Sequence, residues 1–225
     1  IEKNKTNIMD QAWVPWYTMH KILAGVIDVY KYTGNETALE LAKELGTWVY
    51  HRTQTWSSST RRTVLNIEYG GMNDCLYELY AVTGEDIFAI AAHAFDEDTL
   101  FQIVASGGKN AITNRHANTT IPKFIGALNR YVTTHGKTIQ GEVVDSSKYL
   151  EYAQIFFDMV LERHTYITGD NSEWEHFGED NILNKERTNC NCETCNVYNM
   201  LKMTKLFFMI TGDVKYADWY ENTFI

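Results

Sequence analysis

Three cysteines and a glutamate crowd into six residues near the end of this 225-residue chain, Cys190-Asn191-Cys192-Glu193-Thr194-Cys195. Zinc accepts thiolate sulfur and carboxylate oxygen, and a structural site takes four ligands. Glu193 and Cys195 stand two apart before a helical pattern over 196–210, so both can face one ion from the start of that helix. The positive end of a helix also favours a thiolate. The usual Cys-x-x-Cys pairs are missing, so these residues alone leave open inert cysteines beside a helix-capping glutamate.

A second cluster lies just upstream, Glu173-Trp174-Glu175-His176-Phe177-Gly178-Glu179-Asp180. Carboxyls crowded beside Trp and Phe can hold a raised pKa, as a general acid at neutral pH requires. A solvated acidic loop is the alternative. Among the histidines, His20 follows Trp13, Trp16 and Tyr17 at the opening of the first helix. His116 precedes Asn118-Thr119-Thr120-Ile121-Pro122 at the opening of the third, and Gly70-Gly71-Met72-Asn73 opens the second. These helix starts are expected to converge on one mouth, where His and aromatic side chains either bind a sugar or cap and pack. His51, His93 and His164 fall on outer helices and read as structural.

The elements that must position these residues follow from a repeat. Tyr32-Thr33-Gly34-Asn35, Val82-Thr83-Gly84-Glu85 and Ile210-Thr211-Gly212-Asp213 share one pattern, with a weaker form at Thr133-Thr134-His135-Gly136. Glycine suits the left-handed residue that ends a helix, and Asn or Asp after it suits the cap of the next. Each reads as the turn of a helical hairpin. Ile22, Leu23, Val26, Ile27 and Tyr30 follow helical spacing, as do Phe124, Ile125, Leu128 and Tyr131, and Met200, Met203, Phe207 and Ile210. Segments 39–49 and 149–161 agree, and no segment shows a period-two strand. The expectation is an all-α chain.

The turn glycines are fifty, fifty-two and seventy-six residues apart. Two-helix units of that length suggest an α/α toroid or a helical solenoid. The excess in the last interval falls at 165–193, which holds the clustered cysteines and Asp170, Glu173, Glu175, Glu179 and Asp180; a long insertion in a regular array is usually functional. Four hairpins are visible, fewer than a closed ring of six, so the domain reads as incomplete.

Composition excludes some classes of function. A formal charge of −9 repels nucleic acid, and Arg61-Arg62 is too short a basic run to offset it. No apolar stretch approaches the ~20 residues of a membrane span. Ile1-Glu2-Lys3-Asn4 carries no readable targeting segment, which leaves both cytoplasm and secretion open. Cys75 stands alone, and so tight a cluster elsewhere is unlike a disulfide framework.

Taken together, Glu193-Thr194-Cys195-Asn196-Val197-Tyr198-Asn199-Met200-Leu201-Lys202, Glu175-His176-Phe177, His116-Ala117-Asn118-Thr119, Trp16-Tyr17-Thr18-Met19-His20-Lys21 and Glu68-Tyr69-Gly70-Gly71-Met72-Asn73 resemble the glycoside hydrolase family 127 and 146 group. The motifs appear in family order across nearly the whole chain. The resemblance implies that residues 1–225 are part of one (α/α)6 barrel, with further hairpins and any β-sandwich domain outside them. It implies release of L-arabinofuranose with retention from a plant-type, arabinose-containing glycan or oligosaccharide. By the same resemblance, Glu175 is the general acid/base, Glu193 and Cys195 are zinc ligands, and His20, Asn73 and His116 contact the sugar.

Retaining glycosidases generally use two carboxylates; this family uses a zinc-bound cysteine as nucleophile, drawn from a Cys-Cys pair downstream. No such pair occurs here, and Cys190 and Cys192 lie upstream of the signature. The chain alone is therefore expected to hydrolyse nothing. Two rival readings stand beside this one: a toroid enzyme with another sugar chemistry, and a helical-repeat binding module whose structural zinc is closed by Cys190, Cys192, Glu193 and Cys195.

Overall fold

The Thr-Gly repeat works through its threonine as well as its glycine. Helix α1 (Pro15–Thr33) ends at Gly34, φ 69, whose N–H reaches Tyr30 O. The Thr33 hydroxyl donates to Val29 O and accepts from Asn35 N, so one side chain closes the helix and sets the next cap. Asn35 then caps α2 (Glu36–Gln54) by accepting from Ala38 N. Thr83 and Gly84 repeat the arrangement at the end of α4 (Met72–Thr83), and Thr211 and Gly212 at the end of α9 (Thr194–Thr211). Asp213 caps α10 (Val214–Phe224).

The computed structural model describes residues 14–183 and 188–225; Trp13 lies outside them. Among the described residues the chain is helical, as expected, with α3 (Ser58–Leu65), α5 (Asp86–His93), α6 (Asp98–Ala105), α7 (Ala117–Thr134) and α8 (Ser147–His164) completing the set. The weak repeat behaves differently from the other three. Gly136 is left-handed, φ 70, but it leads into a two-residue hairpin, β1 (Thr138–Ile139) with β2 (Glu142–Val143), before α8 begins. Strands this short carry no period to read. The helix expected after Gly84 is α5, whereas the eight-residue helices α3 and α6 have no counterpart in the sequence reading, because each offers only two turns of pattern. No helix among the described residues is long and apolar enough to cross a membrane.

The chain divides into two compact units, each with its own core. In the first, residues 1–97 and 133–146, α1 packs on α2 and α4, and α2 on α5. Gly46 permits this closeness, since a Cβ there would lie 2.5 Å from Leu79 Cδ2. Trp16 and Trp56 meet Phe95 edge-on at 5.1 and 5.3 Å, arrangements that add to the area they bury.

In the second, residues 98–132 and 147–225, Phe124 of α7 stacks on Phe156 of α8 at 3.9 Å, and Phe157 meets Phe207 and Tyr216. The insertion adds Phe177, 1% exposed, which meets the rings of Phe156 and His164. Burying one such ring is worth about 1.5–3 kcal/mol. Asp180 is a further anchor for the insertion. Its carboxylate accepts from Asn110 N at 3.1 Å and Arg163 Nη1 at 3.0 Å, and its N–H donates to Asn110 Oδ1 at 2.9 Å. His164 Nε2 stands 3.2 Å from Asp180 Oδ1, close but without hydrogen-bond alignment.

Candidate active site

The insertion is a ribbon that joins two helix starts. Residues 173–177 pair with the segment leading into α7: Asn114 N donates to Phe177 O at 2.8 Å, Phe177 N to Arg115 O at 3.0 Å, and Ala117 N to Glu175 O at 2.8 Å. On the ribbon's other side Trp174 N donates to Cys190 O at 2.8 Å, and Glu173 bridges Asn191, two residues before the turn into α9. The Glu173 carboxylate also accepts from the Thr188 hydroxyl.

Glu175 sits at the tip. Glu173 and His176 exchange both backbone hydrogen bonds, at 2.9 and 3.0 Å, which closes a two-residue turn of Trp174 and Glu175. Both have positive φ, 48° and 67°. That is the I′ arrangement, which favours Asn-Gly or Asp-Gly; two side-chain-bearing residues there cost about 1–3 kcal/mol each. The neighbouring ladder holds the turn in place. The Glu175 side chain is 61% exposed, so the apolar enclosure expected from Trp174 and Phe177 is not found among the described residues. Its Oε2 lies 3.7 Å from His116 Nε2, whose ring meets that of His176 at 5.2 Å. His116 Nδ1 is buried and has no hydrogen-bond partner among the described residues.

The starts of α7 and α9 are tied by amides that sequence reading passed over. Pro122 has no N–H to offer Asn118 O in the helix, and Asn199 Nδ2 approaches that carbonyl at 3.5 Å while donating to Asn118 Oδ1 at 2.9 Å. Asn196, fully buried, donates to Ser172 Oγ at 2.6 Å. Only the burial of Asn196 and Asn199 and their bonds to Ser172 and Asn118 identify these amides as ties, and burial is not visible before folding.

Glu193 occupies the N-cap position of α9 without a side-chain cap bond, so its carboxylate is not spent on the helix. Cys195 Sγ lies 4.0 Å from Glu193 Oε2. Zinc bonds of about 2.3 Å to sulfur and about 2.0 Å to oxygen, at a tetrahedral angle, separate two such donors by about 3.5 Å. A small adjustment therefore lets both reach one ion, and the donor chemistry fits zinc. Among the described residues no three His, Cys, Asp or Glu side chains converge on one metal-sized point.

Cys192 and Cys195 are not activated by their protein surroundings. Burial, then the charges of Glu193 and Glu175, push Cys195 above the ordinary thiol range, and the amides of the helix start only partly oppose this. The helix terminus thus does not win the contest expected for it. Burial and the Asp170 charge likewise raise Cys192, against a hydrogen bond from Thr168.

The sugar contacts expected in the first unit have other work. His20, 4% exposed, accepts the Gly71 N–H on Nδ1 at 3.1 Å and meets the Tyr17 ring edge-on. A Cβ on Gly70 would lie 2.6 Å from Tyr17, and one on Gly71 2.9 Å from His20 Nε2, so the glycine pair fits against these rings. Asn73 is fully buried and donates to Asp96 Oδ1 at 3.1 Å, while Tyr77 donates to Asp96 Oδ2 at 2.5 Å. Asn73 thus forms a polar link inside the core of the first unit.

Comparison with known proteins follows this geometry. The chain shares its fold with a GH127 β-arabinofuranosidase structure at TM-score 0.70 and 20% identity, which covers 99% of this chain and 36% of that one. A GH127 β-L-arabinofuranosidase from Geobacillus stearothermophilus T6 aligns at TM-score 0.63 and 16% identity, over 93% of this chain and 35% of that one. The GH76A α-1,6-mannanase from Salegentibacter sp. HEL1_6 aligns at TM-score 0.53 and 17% identity, over 98% and 61%. The chain thus spans little more than a third of the length of these GH127 structures. Comparison with curated protein sequences gives no significant match. The model of the β-L-arabinofuranosidase GH127 catalytic domain matches residues 1–225, and the chain belongs to that family.

Proposed function

We propose that this chain supplies the acid/base and part of the metal site of a retaining glycoside hydrolase that releases L-arabinofuranose from β-linked, plant-type glycans. The observation that carries this reading is the pairing of Glu175 with His116 and of Glu193 with Cys195 at the tied starts of α7 and α9, with the Glu175 charge felt at Cys195, in a GH127 chain. In this reading Glu175 gives a proton to the glycosidic oxygen as the bond breaks, then takes one from the incoming water. The I′ turn fixes its backbone, and His116 steadies the carboxyl and contacts the sugar. Glu193 and Cys195 would hold zinc, which supplies the positive charge that keeps a coordinated thiol deprotonated at neutral pH. The nucleophilic thiolate comes from sequence outside residues 1–225, so residues 1–225 alone turn over nothing.

The test is an activated β-L-arabinofuranoside, offered to residues 1–225 and to the longest natural chain that contains them. Turnover by the long chain alone, with bound zinc by elemental analysis, is expected. Turnover by residues 1–225 that disappears in Cys192→Ser would place the nucleophile in the local cluster instead. Inactivity of both would make arabinofuranose the wrong sugar.

A further inference from the structure

We infer that Trp174 is a stacking platform for the sugar on the leaving-group side of the bond that Glu175 protonates, an inference that rests on the glycosidase reading above. Trp174 is 63% exposed, and among the described residues its ring meets no other ring and its indole N–H has no hydrogen-bond partner. Buried aromatics earn their place through packing, but this one gains little of that. It also occupies the first left-handed position of the I′ turn, φ 48, where Asn, Asp or Gly would be less strained. A tryptophan held there at conformational cost, with most of its side chain exposed, has no structural reason visible among the described residues.

The chemistry of a sugar gives it one. The face of a sugar ring presents C–H groups with partial positive charge, and the indole face is negative. The indole N–H can meet a hydroxyl at the rim. Trp174 adjoins Glu175 in the same two-residue turn. A general acid must come within about 2.6–3.2 Å of the oxygen it protonates, and that oxygen belongs to the departing sugar. The neighbouring indole therefore lies beside the departing sugar rather than the retained one. The α9 face that bears Cys195 carries a second exposed ring three residues on, Tyr198, 61% exposed and also without a ring or hydrogen-bond partner among the described residues.

The experiment compares Trp174→Asn and Trp174→Ala with wild type in the longest natural chain, using a β-L-arabinofuranosyl disaccharide and methyl β-L-arabinofuranoside. On the disaccharide kcat/KM should fall about 3- to 10-fold further than on the methyl glycoside, the size of one aromatic stacking contact, and mainly through KM. The Tm of Trp174→Asn should match or exceed wild type, because Asn suits the turn. Tyr32→Ala, at a 78% exposed ring of α1, serves as the control and should change neither substrate. Equal losses on both substrates, or a Tm several degrees lower in Trp174→Asn, would overturn the platform and make the ring a packing contact. If wild type turns over neither substrate, the glycosidase reading fails. The platform is then judged by saturation-transfer NMR with the disaccharide, where transfer unchanged in Trp174→Ala would overturn it as well.

Discussion

Each unit brings two helix starts together beside a histidine, but the two meetings are finished differently. In the first, His20 is buried and takes the Gly71 N–H, Asn73 and Tyr77 share the Asp96 carboxylate, and the left-handed backbone position falls on Gly70. In the second, His116 stands 3.7 Å from an exposed Glu175, Glu193 leaves its helix uncapped, and the left-handed positions fall on Trp174 and Glu175. One meeting satisfies its polar groups and relieves its backbone. The other keeps polar groups unspent and accepts strain, as sites that must act on something else do.

The contrast predicts which substitutions cost activity and which cost stability. Cys195→Ala in the longest natural chain should lower turnover by about 10³-fold, the several kcal/mol a metal site contributes, and zinc should be lost in the same preparation. Elemental analysis with kinetics checks both, and a variant that keeps zinc and turnover removes Cys195 from the site. Gly70→Ala should destabilise the protein by about 1–3 kcal/mol, since a side chain is strained at φ 57 and would meet Tyr17. Chemical denaturation reads this directly. An unaltered midpoint would show that the first unit is looser than described.

The smallest effect concerns the anchor beneath the open region. Burial lowers His164 below the ordinary histidine range, against the opposing charge of Asp180. Burial would raise Asp180, but Asn110 N, Arg163 and His164 outweigh it and hold the carboxyl low. For both groups the unfolded chain binds protons more readily. The His164 contribution is thus complete above about pH 6.5 and fades as pH falls below it. The Asp180 contribution is complete above about pH 3.9 and fades below that. Tm measured against pH should show the upper step vanish in His164→Phe and the lower step in Asp180→Asn.

What could be read from the sequence was what local chemistry decides. The Thr-Gly turns, the helices flanking them and the openings near His20, Asn73, His116 and Cys195 all follow from residues within a few positions of one another. The ribbon could not be read, because 114–117 pairs with 173–177 across some sixty residues and without apolar alternation. Its turn was hidden too, since Trp-Glu is not a sequence that announces a I′ turn. The burial of Asn73 was hidden as well, because a motif match says nothing of burial. Asp180 was grouped with the other acids of 170–180, whereas only its contact with Arg163 and Asn110 makes it an anchor.

The central claim is that Glu175 moves a proton at the glycosidic oxygen, and leaving-group dependence in Glu175→Gln tests it most directly. The variant should fold normally, because the side chain is largely exposed. On a β-L-arabinofuranosyl disaccharide its kcat should fall about 10²- to 10⁴-fold. On a dinitrophenyl β-L-arabinofuranoside, whose leaving group needs no proton, the loss in the bond-breaking step should be within about tenfold. An equal loss on both substrates would contradict the assignment and leave Glu175 a binding residue.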